Sequence, residues 1–461
     1  MIVHRYVGVV MGLLMLVWFA SGVAMLFVHW PEVTEAERAA GLAPLTWGQC
    51  CHAGDIQDVQ QVTAATVEDL AGRPVLRFDG QTQDLTTGAF IHEVSGADAS
   101  RIAETYARAI GVPVASSSLT WVDRDQWTVT GYFDKRRPFW VLHAHDPART
   151  EIYVSAHTGQ VSQVTTRVER ILNWLGPIPH WLYPQVLRAN TAVWTQVVIW
   201  TSLIGIFLTL TGLYLGFVAW RPWRDARLSP FRGLMAWHHL AGLATGILTL
   251  TWVASGLVSM NPWGFLESGS DERPGQLAGA FSHGDLRQAI GALRDAGVTG
   301  RQIKAAPLAD RLYLMVDGVR FDSGGRPAPL AAADLAVAAA RMGPARSASL
   351  ITEEDAYYRG HHQPVSLPVY RVEMADGVRF YIDPASGQVL GAVDAPARSY
   401  RWLLEGVHGQ DVVRGFDRGA GWAAAMAFLL GAAGLGVATG VWLGWRRAKA
   451  DVAGLFRRRR G

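Results

Sequence analysis

Four of the chain's 14 histidines fall into two pairs related by an internal repeat. His4, Gly8, Gly12, Trp18, Ser21 and Gly22 match His238, Gly242, Gly246, Trp252, Ser255 and Gly256 at a constant spacing of 234 residues, without a gap. A second frame, at a spacing of 228, matches Trp174 with Trp402, His180 with His408, Trp194 with Trp422, and Thr211, Gly212 and Gly216 with Thr439, Gly440 and Gly444. Neutral imidazole is a common metal ligand. Two imidazoles at equivalent places across a pseudo-twofold axis can reach one ion from opposite sides, as the two axial positions of a haem iron require. The expectation is one haem between His4 and His238 and a second between His180 and His408.

His29 and His239 are the competing ligands. His29 ends the first apolar stretch and would replace one member of the second pair, although its repeat partner is Trp263. His239 adjoins His238, and its own partner is Arg5, which does not ligate iron. Gly8, Gly12, Gly212, Gly242, Gly246 and Gly440 are small enough to admit a flat macrocycle or another helix, and Arg5, Arg188 and Arg414 are near enough in sequence to meet its propionates. His143 with His145, two apart on one strand face, and His361 with His362, in a loop, read as exposed polar residues, a metal or substrate contact being the alternative. Lys135-Arg136-Arg137 reads as a solvated loop that would attract an anionic chelate. Cys50 and Cys51 are the only cysteines, and neighbours rarely bridge. They are expected to be a pair without catalytic duty, a redox or metal role with His52 being the alternative. The chain has no Walker-type glycine loop, H-E-x-x-H, G-x-S-x-G or dinucleotide fingerprint. Any flavin or nicotinamide donor would therefore belong to a partner, unless the reductant is a membrane quinol.

The elements that must position these residues are membrane helices. Half of the 461 residues are hydrophobic, 19 are Trp and 18% are charged, which indicates a membrane protein with soluble parts. Residues 7–28, 193–218, 240–260 and 422–445 are each long enough to cross about 30 Å of hydrocarbon. The first exceeds a signal-peptide core, precedes a poor cleavage site at Trp30-Pro31, and recurs in mid-chain, so it reads as a retained anchor. Arg221, Arg224, Arg227 and Arg232 oppose only Asp225, and Arg446, Arg447, Lys449 and the arginines at 457–460 oppose only Asp451. By the positive-inside rule both termini and the middle loop face the cytoplasm. The net charge of +3 follows from this bias and from attraction to anionic lipid, and gives no case for nucleic acid. Two halves that both start and end inside form a parallel repeat about an axis along the membrane normal.

The expected layout is a span over 1–30, an external domain over 31–170, an interfacial segment and second span over 171–220, and a basic cytoplasmic loop over 221–236. The second half repeats it, with a span over 237–262, an external domain over 263–398, an interfacial segment and fourth span over 399–446, and a basic tail over 447–461. Residues 370–393 alternate apolar and polar, with turns at Ala375-Asp376-Gly377 and at 383–387, which predicts a hairpin and a short third strand. Residues 139–164 repeat this, Tyr153, Gly159, Gln160 and Val161 lying 228 before Tyr381, Gly387, Gln388 and Val389. With helices over 98–110 and 331–342, each external domain reads as α+β. His180 and His408 precede their spans by about 14 residues, which a continuous helix would turn into roughly 21 Å. Pro177, Pro179 and Pro184 in the first copy, and Gly406, Gly409 and Gly415 in the second, predict that both segments fold back instead.

The run VYRVEMADGVRFYIDPASGQVLG resembles the PepSY domain. A PepSY unit between apolar spans that begin with His and spaced glycines resembles the PepSY-associated transmembrane family, over nearly the whole chain in order. Long parts of the external domains, residues 34–97 above all, have no counterpart in it. That family includes inner-membrane siderophore reductases with two b-type haems. The resemblance therefore implies a four-span helical bundle in a bacterial inner membrane, built as two parallel repeats with inserted periplasmic α+β PepSY-like domains. It also implies two haems b, a quinol or cytoplasmic flavoprotein as donor, and a periplasmic ferric chelate or other acceptor. The alternative is a haem-free PepSY membrane protein that binds or regulates a periplasmic partner. A solute transporter fits less well, because the spans carry no acidic or broken-helix site at mid-depth.

Overall fold

The computed structural model of the chain describes residues 2–48, 50, 61–220, 228–360, 365–411 and 419–458. Four helices are long and apolar enough to cross a membrane: Ile2–Met25, Thr191–Ala219, Leu234–Ser259 and Ala420–Arg458. All four belong to one compact unit, made of Met1–Trp30, Val168–Glu267 and Ser399–Gly461. A second unit comprises Pro31–Arg167 and Ser268–Arg398.

In the helical unit, the first and third long helices each pack against both the second and the fourth. A helix satisfies its own backbone polar groups, which hydrocarbon demands. The first long helix begins at Ile2 and the third at Leu234, ahead of the apolar stretches, so each helix includes its histidine, His4 or His238, near its start. The fourth runs to Arg458 because residues 446–453 contain good helix formers and no Gly or Pro. The expected basic tail is therefore helical over most of its length. Met11, Met15, Phe19, Leu208, Trp252, Val253, Met426, Leu430 and Ala433 form the core. A Cβ on Gly12 would lie 2.5 Å from Val441 Cγ2, and one on Gly246 2.6 Å from Leu213 Cδ2. These repeat-equivalent glycines serve close helix packing. A Cβ on Gly8 would make an ordinary contact with Leu208 at 3.6 Å, and one on Gly242 would meet nothing within 4 Å.

The second unit is built of antiparallel sheets. Its first segment supplies β1 (Gln61–Val62), β2 (Ala65–Leu70), β3 (Arg73–Phe78), β4 (Gln81–Asp84), β5 (Ser118–Val122), β6 (Phe139–His143), β7 (Glu151–Ser155) and β8 (Val161–Thr165). The second supplies β9 (Phe281–Ser282), β10 (Gln302–Ala305), β11 (Tyr313–Val316), β12 (Val319–Asp322), β13 (Ala345–Ile351), β14 (Val369–Met374), β15 (Arg379–Ile382) and β16 (Val389–Val393). The expected hairpin and third strand are β14, β15 and β16, and their counterparts are β6, β7 and β8. Sheets β5-β6-β7-β8 and β13-β14-β15-β16 have the same order. Both carry a register shift at matched places, between Tyr153 and Val154 and between Tyr381 and Ile382. Helix Gly96–Ala109 buries Ala99, Ala103 and Tyr106 against Leu142, Ile152 and Val154. Helix Ala332–Ala339 buries Leu335 and Ala338 against Val372, Phe380 and Ile382.

Each segment is thus α+β, but the two are not independent. A six-stranded sheet, β12-β11-β10-β2-β3-β4, takes three strands from each, with Glu68 on β2 opposite Gln302 on β10. Glu68 is 1% exposed. Arg38 Nη1 donates to its Oε2 at 2.8 Å and Arg77 Nε to its Oε1 at 2.5 Å. Burial alone would raise the Glu68 carboxyl, but the Arg77 and Arg38 charges hold it down at about 2. Removing one partner of a buried pair costs about 3–5 kcal/mol, so Glu68→Gln is expected to lower stability by that order. Because the folded pKa lies below the unfolded value of about 4.3, the stabilisation is complete above that value and is lost as pH falls towards 2. Denaturation midpoints of wild type and Glu68→Gln should differ widely at pH 7 and converge in acid. A gap that persists at pH 2 would contradict the assignment.

Three expectations in this unit change. Arg137 is not solvated. It is 7% exposed, donates to the Thr128 and Thr130 carbonyls and pairs with Asp134, because the loop folds over its guanidinium. Cys50 is disulfide-bonded rather than unbridged, and is buried beside Leu45 and Val62. The chain's other cysteine, Cys51, lies outside the described residues, as do His52, Arg221, Arg224, Asp225, Arg227, His361, His362, Arg414, Gly415, Arg459 and Arg460. His145 lies beyond the end of β6, so it does not share a strand face with His143.

Candidate functional site

The helical unit brings both histidine pairs together. His4 and His238 have ring centroids 6.5 Å apart, and His180 and His408 have theirs 6.2 Å apart. His4 sits on the first long helix, and its Nδ1 lies 3.2 Å from the Leu208 carbonyl and 3.3 Å from Thr211 Oγ1 on the second. His238, on the third, places Nδ1 3.0 Å from the Gly436 carbonyl and 3.3 Å from Thr439 Oγ1 on the fourth. Gly436 and Thr439 stand 228 residues after Leu208 and Thr211, so each ring meets a carbonyl and a threonine hydroxyl at one constant offset.

The second pair is held in the same manner by the other frame. His180 Nδ1 lies 3.2 Å from the Trp18 carbonyl and 3.1 Å from Ser21 Oγ. His408 Nδ1 lies 3.2 Å from the Trp252 carbonyl and 3.0 Å from Ser255 Oγ. Both segments do fold back. Helix Pro177–His180 and a turn with Leu182 at φ +54° double the chain back before the second long helix, and Arg401–His408 is a π-helical stretch. In this half Trp252 Nε1 also donates to the His408 carbonyl at 3.1 Å.

A carbonyl oxygen can only accept, so in all four histidines Nδ1 carries a proton, and Nε2 is the nitrogen left to ligate when the ring is neutral. Each neighbouring hydroxyl donates to its own helix, as Ser21 does to Val17 at 2.6 Å and Thr439 to Gly436 at 2.6 Å, and is left to accept from Nδ1. Such outer partners fix the tautomer and orientation of metal-binding histidines. Burial and the facing His408 ring lower the His180 pKa to about 4, and burial lowers that of His408, so both are neutral. An imidazole nitrogen sits about 2 Å from a first-row metal, so two imidazoles on opposite sides of one ion have centroids roughly 6 Å apart. Both pairs fit that separation.

Glycines make room for these rings. A Cβ on Gly212 would lie 2.7 Å from His4 Cε1, and one on Gly440 2.5 Å from His238 Cε1. At Gly22 and Gly256 the corresponding distances to His180 and His408 are an ordinary 3.5 and 3.8 Å. Trp18 and Trp252, fourteen residues along their helices from His4 and His238, set the two pairs roughly 21 Å apart along the bundle.

The competing histidines are placed elsewhere. His29 is exposed beyond the end of the first long helix, where its carbonyl accepts from Asn173. His239 is buried and turned to the second long helix, Nε2 lying 3.0 Å from the Gly216 carbonyl. Arg5 already faces a carboxylate, Asp451, at 3.7 Å, while Arg188 lies over Tyr183 and Trp194. His143 is engaged by Thr120 Oγ1 and Glu151. No group of three or more His, Cys, Asp or Glu able to hold a metal occurs among the described residues. The residues with no role expected from sequence are Ser21, Ser255, Thr211 and Thr439, although their membership of the two repeat frames was the signal that could have found them. Set against protein-family models and against curated proteins, the chain matches none.

Proposed function

We propose that this chain is a bacterial inner-membrane reductase that holds two haems b, one between His4 and His238 and one between His180 and His408. It passes electrons from the cytoplasmic side to an external acceptor, with a ferric siderophore as the acceptor class. The observation that carries this reading is the fourfold recurrence of one device: an imidazole whose Nδ1 is committed to a carbonyl and a hydroxyl, facing another so held across the bundle. Haem iron supplies one-electron chemistry when bound. The chain would supply Nε2 ligands, ring orientations fixed by the Nδ1 bonds, and a buried apolar interior that includes Met11, Met15, Phe19 and Trp252. Outer-sphere reduction needs no general acid or base, in keeping with a sequence that has no catalytic motif. A membrane quinol or a cytoplasmic flavoprotein is the donor. The choice of a ferric chelate rests on the family resemblance alone.

An absorbance spectrum tests the reading. The purified protein is expected to show a Soret band, and sharp bands after dithionite. A folded, colourless preparation would sink it and leave the haem-free partner-binding alternative.

A further inference from the structure

We infer that Arg188 binds an oxyanion, a carboxylate or a phosphate, at the end of the bundle that carries His180 and His408. Arg188 is 8% exposed, and its guanidinium carbon lies 5.1 Å from the Tyr183 ring centroid and 4.4 Å from that of Trp194. The rings stabilise the charge from their faces but take none of its in-plane N–H donors. One of these, Nη1, donates to Thr191 Oγ1 at 2.7 Å. Nε is buried without a hydrogen-bond partner, and among the described residues no carboxylate pairs with this arginine. Arg38 and Arg401, which are as deeply buried, each engage two carboxylates. A buried guanidinium with no counter-charge is costly unless an anion completes it.

The surroundings favour an anion there. Thr191 is the first residue of the helix Thr191–Ala219, whose N-terminus carries partial positive charge and suits oxyanions. Asn190 caps it by accepting from the Val193 N–H, so the cap brings no carboxylate to the site. Trp194 Nε1 donates to the Trp181 carbonyl at 2.9 Å, which ties the aromatic seat of Arg188 to the residue next to His180. Two sources supply the same chemistry: a propionate of the haem proposed for the second pair, which rests on the function argued above, and the phosphate of a lipid headgroup, which does not.

The test uses full-length protein in detergent. Apoprotein is reconstituted with haem b or with its dimethyl ester, and retained phospholipid is read by native mass spectrometry, for wild type, Arg188→Leu and Arg188→Lys. If the oxyanion is a propionate, wild type retains the free acid better than the ester, Arg188→Leu abolishes that preference, and Arg188→Lys keeps part of it because charge remains without the fork. If it is a lipid phosphate, acid and ester bind alike, while a phospholipid held by wild type is lost from Arg188→Leu and kept by Arg188→Lys. If wild type takes up neither haem, the haem function falls and the lipid arm alone decides the role of Arg188. Unchanged ester discrimination and unchanged lipid retention in a folded Arg188→Leu protein would overturn the proposal.

Discussion

Replacing His4 or His238 with alanine is expected to remove the same single haem from the purified protein and to leave the other in place. Each histidine would offer one Nε2 to the proposed haem, so loss of either would leave that haem with one protein ligand instead of two. The second pair, roughly 21 Å along the helices, keeps its own carbonyl and hydroxyl partners and is unaffected. Haem-to-protein ratios should fall to half, with identical residual spectra in the two variants. His29→Ala and His239→Ala should retain both haems. His239→Ala carries a stability cost of about 1 kcal/mol for the bond to the Gly216 carbonyl. Loss of haem from His239→Ala but not from His238→Ala would refute the pairing.

A methyl group is expected to do as much damage as the missing imidazole when it is added at Gly440 or Gly212. A Cβ at position 440 would stand 2.5 Å from His238 Cε1 and 3.0 Å from Nδ1, and at 212 it would stand 2.7 Å from His4 Cε1. The ring cannot retreat while its Nδ1 is held to the backbone of the helix that carries the new methyl. Something must give, and the bond to Gly436 or Leu208 is the weakest restraint. Glycine to alanine otherwise favours a helix by about 1 kcal/mol, so thermal unfolding measured beside haem content separates local loss of haem from loss of fold. Gly242→Ala, which meets no atom within 4 Å, is the control and should keep full haem content. Equal behaviour of Gly440→Ala and Gly242→Ala would contradict the placement of His238.

The pairing of the histidines was legible because repetition carries geometric information. Residues at one constant offset are expected at matched places in a bundle, and the rings of His4 and His238 do lie 6.5 Å apart. The same frames contained the partners of each ring, Thr211 with Thr439 and Ser21 with Ser255, but a hydroxyl in an apolar helix more often bonds its own backbone, and nothing in the spacing pointed it at an imidazole. The hairpin at β14 and β15 was legible from strict alternation around Ala375-Asp376-Gly377. The six-stranded sheet was not, since no local pattern records that β2 pairs with β10 across the length of a half-molecule. Arg137 was misplaced for a related reason: three consecutive basic residues suggest solvent, but which of them a loop encloses depends on tertiary folding.

The joint between β2 and β10 also constrains how the protein is made. Glu68 and Gln302 are 234 residues apart, so the inner edge of β2 has no strand to receive it until the ribosome has passed the third long helix and the start of the second segment. If β2, β3 and β4 pair during that interval, they present one open edge, the kind of surface that recruits strands from other chains. Glu68 and both its arginines, Arg38 and Arg77, belong to the first segment, so charged side chains are already available on that strand while the edge waits. What serves as a clamp in the finished molecule would thus act during synthesis as a guard against premature association.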